Sequence, residues 1–416
     1  MSDDVYILGV GMTKFGKFLE RSIKDMTGLV LEEVLKDCDL TRDDLQAAWF
    51  SNTMWGLYDF QHCIRGQVAL TANGLQGIPV TNVENACASA STALHGAWTA
   101  VKAGLYDCVL AMGVEKQYNE DRTKVMQSFM AGADVEEMAA RVSELREAEQ
   151  KKRQEAGEAK TAEAQQAKAG GHSAFMDFYA AGARAHMQAY GSTQRQLAAV
   201  AAKNHNNSTM NPLAQYTFPQ TVEQVLNDRV VAYPLTRAMC APIGDGAAAA
   251  IVCSESFLKK HPSERAIRIA ASVLEGGKRT GEGDISERAA RKAFEISGFG
   301  PDDIDVMEVH DATAYGEIAV MEALAFCPRG EGGVMAERGD TALDGRIPVN
   351  PSGGLISRGH PIGASGLAQI YELVTQLRGE AGERQVKNHR IAMTENGGGT
   401  VGAGEAAMTI HILEKS

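Results

Sequence analysis

The chain has 416 residues, 44% of them hydrophobic, which is enough for a large core and for two or three domain-sized units. Its 41 Lys and Arg residues against 53 Asp and Glu give a formal charge of -12, which argues against general nucleic-acid binding. Seven cysteines without a C-x-x-C pair predict neither a zinc ribbon nor a disulfide framework, so we expect reduced thiols.

The two ends of the chain carry no recognisable targeting signal. The start, MSDDVYILGVG, lacks the basic and apolar regions of a signal peptide and predicts a short buried strand. The end, HILEKS, is not a peroxisomal S-K-L signal. Because no apolar run approaches the roughly 20 residues that span a bilayer, we expect a cytoplasmic protein that binds no membrane.

Short apolar runs recur along the chain and alternate with helical stretches. We predict strands at VYILGVG, YDCVLAMGVE, GAAAAIV, AIRIAASVL and RIAMT, and helices over 22–36 and 362–379. This alternation predicts an α/β fold with mostly parallel strands. A small-residue helix followed by a strand occurs once after Cys87 and again after His360, which indicates a duplicated unit.

The segment 136–168 differs from the rest of the chain in composition. It is rich in Ala, Glu, Gln, Lys and Arg and contains no aromatic residue, which favours helix. One interpretation is a solvated helical arm or a partly ordered loop. The other is an arm that docks a partner subunit.

Cys87 lies in NVENACASASTALHG, directly before a predicted helix. A helix start presents unpaired N–H groups and a partial positive charge, so this position predicts a lowered thiol pKa and a nucleophilic sulfur. The neighbouring Ala and Ser residues leave room for a substrate. The same pattern also fits an inert buried cysteine whose small neighbours let two helices pack closely.

A nucleophilic cysteine needs a base, and two of the ten histidines stand in unusual contexts. His360 lies among Gly-rich turns in NPSGGLISRGHPIGASG, and His310 follows an apolar run in DVMEVHDATAYGE, where a strand would end and ligands collect. Each also fits a histidine that caps a turn. The Gly-rich run 394–404 either presents N–H donors to a ligand or forms a plain tight turn. We assign no function to His95, His205 and His261.

These motifs resemble those of the thiolase family, and most of all the sterol-carrier-protein-type and archaeal thiolases. The resemblance rests on ENACASAS, VHDAT, GGLISRGHPIGASG, ENGGG and RAMCAPIGDGAAAAIV, and it leaves mainly residues 130–175 unmatched. It implies a thiolase-like five-layer α/β/α/β/α sandwich of two duplicated βαβαβαββ halves, residues 1–257 and 258–416. A loop region at about 116–235 is expected to cover the site.

The resemblance also implies a role for each motif residue. Cys87 would take the acyl group as a thioester, and His360 would accept the Cys87 proton and help to stabilise the thioester oxygen. His310 would complete that first oxyanion hole, and the N–H groups of Cys87 and Gly397 would form a second. Coenzyme A would be a substrate, with no covalently bound cofactor and no metal in this chain.

The chain departs from the family at the second acid/base, which handles the proton on the α-carbon. Both cysteines that serve this purpose in thiolases are absent, and Glu395 and Ala312 stand in their places. We hypothesise that Glu395 takes this role, because a carboxyl in an apolar crevice would have a raised pKa. Alternatively, Glu395 caps a turn and His310 transfers the proton.

The predicted function is therefore a CoA-dependent thiolase that cleaves or forms a 3-oxoacyl-CoA. The missing cysteines also allow a retro-aldolase acting on a 3-hydroxyacyl-CoA, while a non-catalytic acyl-CoA-binding subunit would carry an unreactive Cys87. A ketoacyl synthase is a weaker match, because GHPIGASG resembles thiolases more closely. The resemblance implies a homodimer or tetramer and, by likeness to benzoylsuccinyl-CoA thiolase, a small OB-fold zinc-ribbon partner.

Overall fold

The computed structural model describes residues 4–137, 174–279, 284–402 and 404–415. The predicted arm at 136–168 lies, except for its first two residues, outside the described residues. The strands are β1 (Val5–Met12), β2 (Ala47–Ser51), β3 (Val80–Val83), β4 (Cys108–Glu115), β5 (Val230–Ala232), β6 (Leu235–Thr236), β7 (Gly246–Ser254), β8 (Ile267–Gly276), β9 (Val306–Glu308), β10 (Ile391–Val401) and β11 (Gly404–Lys415). The helices are α1 (Ile23–Asp37), α2 (Trp55–Asp59), α3 (Arg65–Thr71), α4 (Ser89–Lys102), α5 (Arg122–Met130), α6 (Ala174–Tyr190), α7 (Gln194–Ser208), α8 (Val222–Leu226), α9 (Glu255–Lys260), α10 (Ile285–Ser297), α11 (Ala314–Ala323), α12 (Gly332–Glu337), α13 (Gly354–Arg358) and α14 (Ser365–Arg378).

The main sheet consists of two sets of strands that have the same strand order. Nine strands follow the order β3-β2-β4-β7-β1-β8-β11-β10-β9. In the first set, β3-β2-β4-β7-β1, the strands stand third, second, fourth, fifth and first in chain order. The second set has the same order when Val349, which forms a parallel bridge to Met307 of β9, takes the third place. The duplicated unit is confirmed, and the two sets join only where Tyr6 and Ile7 pair with β8.

The prediction of mostly parallel strands is wrong. Of the eight strand pairings in this sheet, five are antiparallel and three are parallel. The last strand of each set, β7 or β11, runs antiparallel to both of its neighbours. A strand buried on both faces appears in the sequence as a continuous apolar run, and such a run does not reveal its direction.

Two central helices, α4 and α14, lie between the two sets of strands. Helix α4 packs against β2, β4 and β7 on one side and against β8 and β11 on the other. Helix α14 packs against α4 and also touches strands of both sets. The outer faces are covered by α1 on the first set and α10 on the second. These contacts give five layers and confirm the expected thiolase-like sandwich.

Glycines bring the beginnings of the two central helices close together. A Cβ at Gly366, near the start of α14, would lie only 2.6 Å from the backbone nitrogen of Ser91 in α4. A Cβ at Gly113 on β4 would likewise collide with the carbonyl oxygen of Gly363. Larger residues at either place would push α14 away from α4 and β4, so these glycines set the separation of the two helix starts.

No helix within the described ranges has both the length and the apolar composition that crossing a bilayer requires. The division of the chain between residues 257 and 258, and the extent of the excursion at 116–235, stay predictions.

A buried histidine on β11 makes the stability of the fold depend on pH. His411 is fully buried, and its Nδ1 lies 3.0 Å from Ser272 Oγ. The same hydroxyl lies 2.9 Å from Nδ1 of His95 on α4. Burial first, and then the neighbouring His95, lower the pKa of His411 to about 3.

We expect the free energy of unfolding to fall as the pH is lowered from about 6.5 to 4. In this window the unfolded chain protonates residue 411, whose ordinary pKa is about 6.5, whereas the folded chain does not. The contribution of His411 to this fall is about 3 kcal/mol, and His411→Asn should remove that share. Urea unfolding across this range measures the slope. The exposed-residue control His261→Asn should keep the wild-type slope, and an unchanged slope in His411→Asn would contradict the assignment.

Candidate active site

Cys87 lies in a tight turn that connects β3 to α4. The turn is a short 3-10 helix, Ala86–Ala88, and α4 begins at Ser89, so the predicted position at a helix start is confirmed. Ala86 has a left-handed backbone with φ of 47°, an unfavourable conformation for a residue with a side chain. The Glu84 carboxylate accepts the N–H of Ala86 at 2.7 Å and supports this turn.

His360 faces the thiol of Cys87. Its Nε2 lies 3.3 Å from Cys87 Sγ, although the two residues are 273 positions apart. Its Nδ1 lies 2.7 Å from Ser365 Oγ, and that hydroxyl donates its proton to the carbonyl of Pro361 at 2.9 Å. Ser365 must therefore accept from Nδ1–H, which leaves the lone pair of Nε2 directed at the thiol. This arrangement suits a base for the Cys87 proton.

Buried carboxylates hold the loop that carries His360. Glu115, at the end of β4, accepts from the backbone N–H groups of Gly363 at 3.0 Å and Met54 at 3.1 Å. Arg358, two residues before His360, pairs with Glu308 at 2.8 Å, and both side chains are fully buried. Breaking a buried pair of this kind leaves an uncompensated charge, so the pair fixes the loop rigidly on β9.

His310 stands beside His360 at the edge of the site. The two rings are 5.2 Å apart between centroids and nearly perpendicular. Ser91 donates to Oδ1 of Asn396 at 2.7 Å, so the Asn396 amide nitrogen donates to Nδ1 of His310 at 3.0 Å. His310 therefore carries its proton on Nε2, where it can donate to a bound oxygen. The sequence analysis did not single out Asn396, which stands inside ENGGG.

Glu395 lies behind His310. Its side chain is fully buried, and its Oε2 accepts the backbone N–H of His310 at 2.9 Å. No described residue donates to its Oε1, and Glu395 does not line the cavity described below. Burial raises the pKa of Glu395 to about 7, against the opposing effect of the His310 N–H, so the expected raised pKa is confirmed. The catalytic role of Glu395 stays a prediction.

Cys87, His310 and His360 open into a cavity of about 440 Å³. Three successive glycines, 397–399, form part of its wall. They belong to the continuous strand β10, so of the two interpretations of this run the plain tight turn is wrong for most of its length. Gly398 approaches the Cys87 turn so closely that a Cβ would lie 2.5 Å from the nitrogen of Ala88. The rest of the wall is largely apolar and includes Met54, Leu57, Phe129, Met176, Phe178, Tyr179, Ala312 and Ile362.

The reactive groups in the cavity are held neutral. Burial first, and then the neighbouring carboxyl of Glu405, raise the pKa of the Cys87 thiol to about 12. The expectation of a lowered pKa is therefore wrong, because loss of water outweighs the partial charge of the helix start. Burial lowers the pKa of His310 to about 4. The pKa of His360 lies well below its usual value, through burial first and then through His310 and Arg358.

The sequence analysis missed several titratable residues in the cavity wall, among them Tyr179 and Glu405. Tyr179 on α6 and Glu405 on β11 both line the cavity. Burial, followed by the charge of Glu405, raises the pKa of Tyr179 well above its usual value. Neither residue belongs to a motif, and Tyr179 lies close to the segment that matched the family least. Only the spatial convergence of α6 and β11 on Cys87 reveals them.

Cys87, His310 and His360 form the one group among the described residues whose spacing could hold a metal ion. The ligand atoms of Cys87, His310 and His360 all lie within 4.8 Å of one another. A thiolate and two imidazoles are ligands that Zn²⁺ accepts. The sequence predicts no metal in this chain, and that stays a prediction.

Family models match most of the chain. Residues 5–231 match the model described as thiolase, N-terminal domain, and residues 284–414 match the model described as thiolase C-terminal domain-like. Together they span all three of the converging residues, since Cys87 lies in the first match and both histidines lie in the second.

Individual relatives agree with these models. An acetyl-CoA acetyltransferase of Methanothermobacter thermautotrophicus is 40% identical over 99% of this chain and 100% of its own length. Benzoylsuccinyl-CoA thiolase subunit BbsB of Thauera aromatica is 35% identical over 95% and 94%. Sterol carrier protein 2 of Bos taurus is 36% identical over 98% and 74%. A solved chain of the Ltp2-ChsH2(DUF35) aldolase superposes with a TM-score of 0.76 over 99% and 98%, at 20% identity, which supports the fold alone.

Proposed function

The chain belongs to the thiolase family and is an acyltransferase, and we propose that it cleaves or forms a 3-oxoacyl-CoA through a thioester on Cys87. The observation that carries this proposal is the 3.3 Å contact between Cys87 Sγ and His360 Nε2 at the wall of an apolar cavity. The relatives named as an acetyl-CoA acetyltransferase and a thiolase subunit support CoA thioesters as the substrate class.

The first step is formation of the acyl-enzyme. Because the pKa of the thiol is raised to about 12, very little thiolate exists at neutral pH, and the sulfur needs a base in contact. His360 Nε2 takes the proton as the sulfur attacks carbon 3 of the substrate. The bond between carbons 2 and 3 then breaks, and the acyl group stays on Cys87.

Donors around the cavity stabilise the oxygens that gain charge. Nε2–H of His310, which Asn396 holds in place, and the protonated His360 would serve the thioester oxygen of the CoA substrate. The backbone N–H groups of Cys87 and Gly397 would serve the oxygen of the acyl group on sulfur. One preorganised donor of this kind is worth about 3 to 4 kcal/mol to a transition state.

The acyl group that occupies the cavity is expected to be apolar. The wall near the sulfur contains aromatic rings from α5 and α6 and methionine side chains from residues 54 and 176. Such a wall favours burial of hydrocarbon and offers few partners to a polar chain. The direction of the reaction is set by substrate supply, since each step is reversible.

We keep two predictions about assembly, a homodimer or tetramer and a small OB-fold zinc-ribbon partner. The name of the Thauera aromatica relative, a thiolase subunit, supports a multi-subunit enzyme. Native mass spectrometry of the purified chain tests the first prediction, and co-purification from its natural source tests the second. A monomer at micromolar concentration would contradict the first.

The proposed function predicts a covalent adduct on Cys87. After mixing with a panel of 3-oxoacyl-CoA esters, intact-protein mass spectrometry should show one acyl group on the wild-type chain. Cys87→Ser should show none, because its hydroxyl is a weaker nucleophile than the thiol. Cys240→Ser provides the control, since Cys240 does not line the cavity, and it should acquire the adduct normally. Equal cleavage of 3-hydroxyacyl-CoA esters by wild type and Cys87→Ser, with no adduct, would favour the retro-aldolase.

The hydrogen bond between Ser365 and His360 predicts a positioning effect. Ser365→Ala removes the acceptor for Nδ1–H, so the ring would lose its fixed tautomer, and kcat for cleavage should fall about tenfold. Ser357→Ala is the matched control, because Ser357 is equally buried and contacts His205 at 3.1 Å instead. Both variants should lose similar thermal stability, while only Ser365→Ala should lose activity. Equal activities would show that the tautomer does not depend on Ser365.

A further inference from the structure

The proposed reaction needs a group that exchanges a proton with carbon 2 of the substrate. The two motif positions that would supply it put no acid into the cavity. Ala312 lines the cavity but cannot ionise, and the Glu395 carboxyl lies outside the cavity wall and accepts the N–H of His310. His310 itself directs a bound proton at the substrate oxygen, as its contact with Asn396 requires.

Two carboxyl side chains line the cavity, those of Glu84 and Glu405. Glu84 is already engaged, because it accepts the N–H of Ala86 in the turn before Cys87. Within the part of the chain that the structure describes, no group donates a hydrogen bond to the Glu405 carboxyl or forms an ion pair with it. Glu405 is therefore the acid in this wall whose oxygens are available to a substrate.

The position of Glu405 places it next to the reacting atoms. It is the second residue of β11 and pairs with Thr400 on β10. Its carboxyl lies against the backbone of Gly397, where a Cβ would collide with it. Among charged neighbours, Glu405 is also the one that perturbs the Cys87 thiol most. The carboxyl thus lies against Gly397 in the wall of the cavity that also contains Cys87.

We propose that Glu405 carries the proton of carbon 2, an inference that rests on the proposed function. When the bond between carbons 2 and 3 breaks, its electron pair stays on carbon 2 and takes the Glu405 proton. Glu405 is left as a carboxylate while His360 holds the Cys87 proton. The incoming CoA thiol gives its proton to Glu405, and its sulfur attacks the thioester carbon. The Cys87 sulfur leaves and recovers its proton from His360, so both groups return to their starting state.

The resting state of Glu405 fits the first of these steps. Burial raises the pKa of Glu405 well above its usual value, and the carboxyl of Glu395 raises it further. The raised pKa favours the protonated carboxyl, which is the form that the breaking of the carbon–carbon bond requires. In the direction of synthesis the steps run backwards, and the departing CoA thiolate takes the proton first, which leaves the carboxylate that carbon 2 requires.

Two reactions of the full-length enzyme separate this role from acyl transfer. The first is single-turnover cleavage of acetoacetyl-CoA, or of the 3-oxoacyl-CoA ester that acylates Cys87. The second is exchange of isotope-labelled CoA into the corresponding simple acyl-CoA, which needs Cys87 and His360 but no proton transfer at carbon 2. When residue 405 is Gln, the departing CoA thiolate can take the Cys87 proton from His360, and the incoming CoA thiol can return it there. Glu405→Gln should slow cleavage by at least about 100-fold and slow CoA exchange by less than about tenfold.

Three variants complete the experiment. Glu405→Asp keeps the acid and should recover part of the cleavage rate, which excludes misfolding as the cause. Glu275→Gln is the control, because Glu275 lies on β8 beside β11 and does not line the cavity, and it should cleave normally. The inference would be overturned if Glu405→Gln cleaved the substrate at the wild-type rate, or if Glu395→Gln were the only variant to lose cleavage. Either result would leave the thioester route intact. A wild-type enzyme that never acylates Cys87 would instead refute the proposed function, and this inference with it.

Discussion

The contact between Cys87 and His360 is the interaction on which the rest of the structure depends. Each residue lies just before one of the two central helices, in corresponding places of the two strand sets. The contact exists because α4 and α14 pack against each other between those sets. Their beginnings can meet only if the residues there are small, and this requirement explains Gly366 and Gly113. Ala90 and Ser91, close to Cys87, take part in the same packing.

Holding an imidazole against a thiol in the interior requires many buried polar groups, and each of them needs a partner. Glu115 accepts backbone N–H groups from both sides of the site, and Arg358 pairs with Glu308 beneath the histidine loop. Ser365 and Asn396 then fix the tautomers of the two histidines in opposite senses. One imidazole presents a lone pair to the sulfur and the other presents a proton to the substrate. The different roles of the two histidines are therefore set by Ser365 and Asn396, which do not themselves react.

The sequence could predict the parts of this arrangement that carry local signals. Cys87 and His360 stand among glycines and small residues, and the apolar runs mark five of the nine strands in the main sheet. Strand direction carries no such signal in fully buried strands. The expectation of mostly parallel strands therefore failed at β7 and β11, which run antiparallel to both of their neighbours. The prediction of a lowered pKa for the Cys87 thiol was wrong for a related reason. The start of a helix is visible in the sequence, whereas the depth of burial is not. Glu405 follows the Gly-rich run in an ordinary strand, so only the folding of β11 onto Gly397 brings it to the site.

The protonation states of the cavity explain how such an interior remains stable. A single ionised thiolate, imidazolium or carboxylate is costly to bury. Burial accordingly shifts the pKa of each of four cavity residues in the direction that favours its neutral form, namely Cys87, His310, His360 and Glu405. A neutral, largely apolar cavity accepts an acyl thioester with little penalty. Charge then appears only as protons move between neighbours already in contact, and it is met by donors whose positions were fixed during folding. The energy that orients those donors is supplied by the packing of α4 against α14, so the stability of the core and the chemistry of the site have the same physical origin.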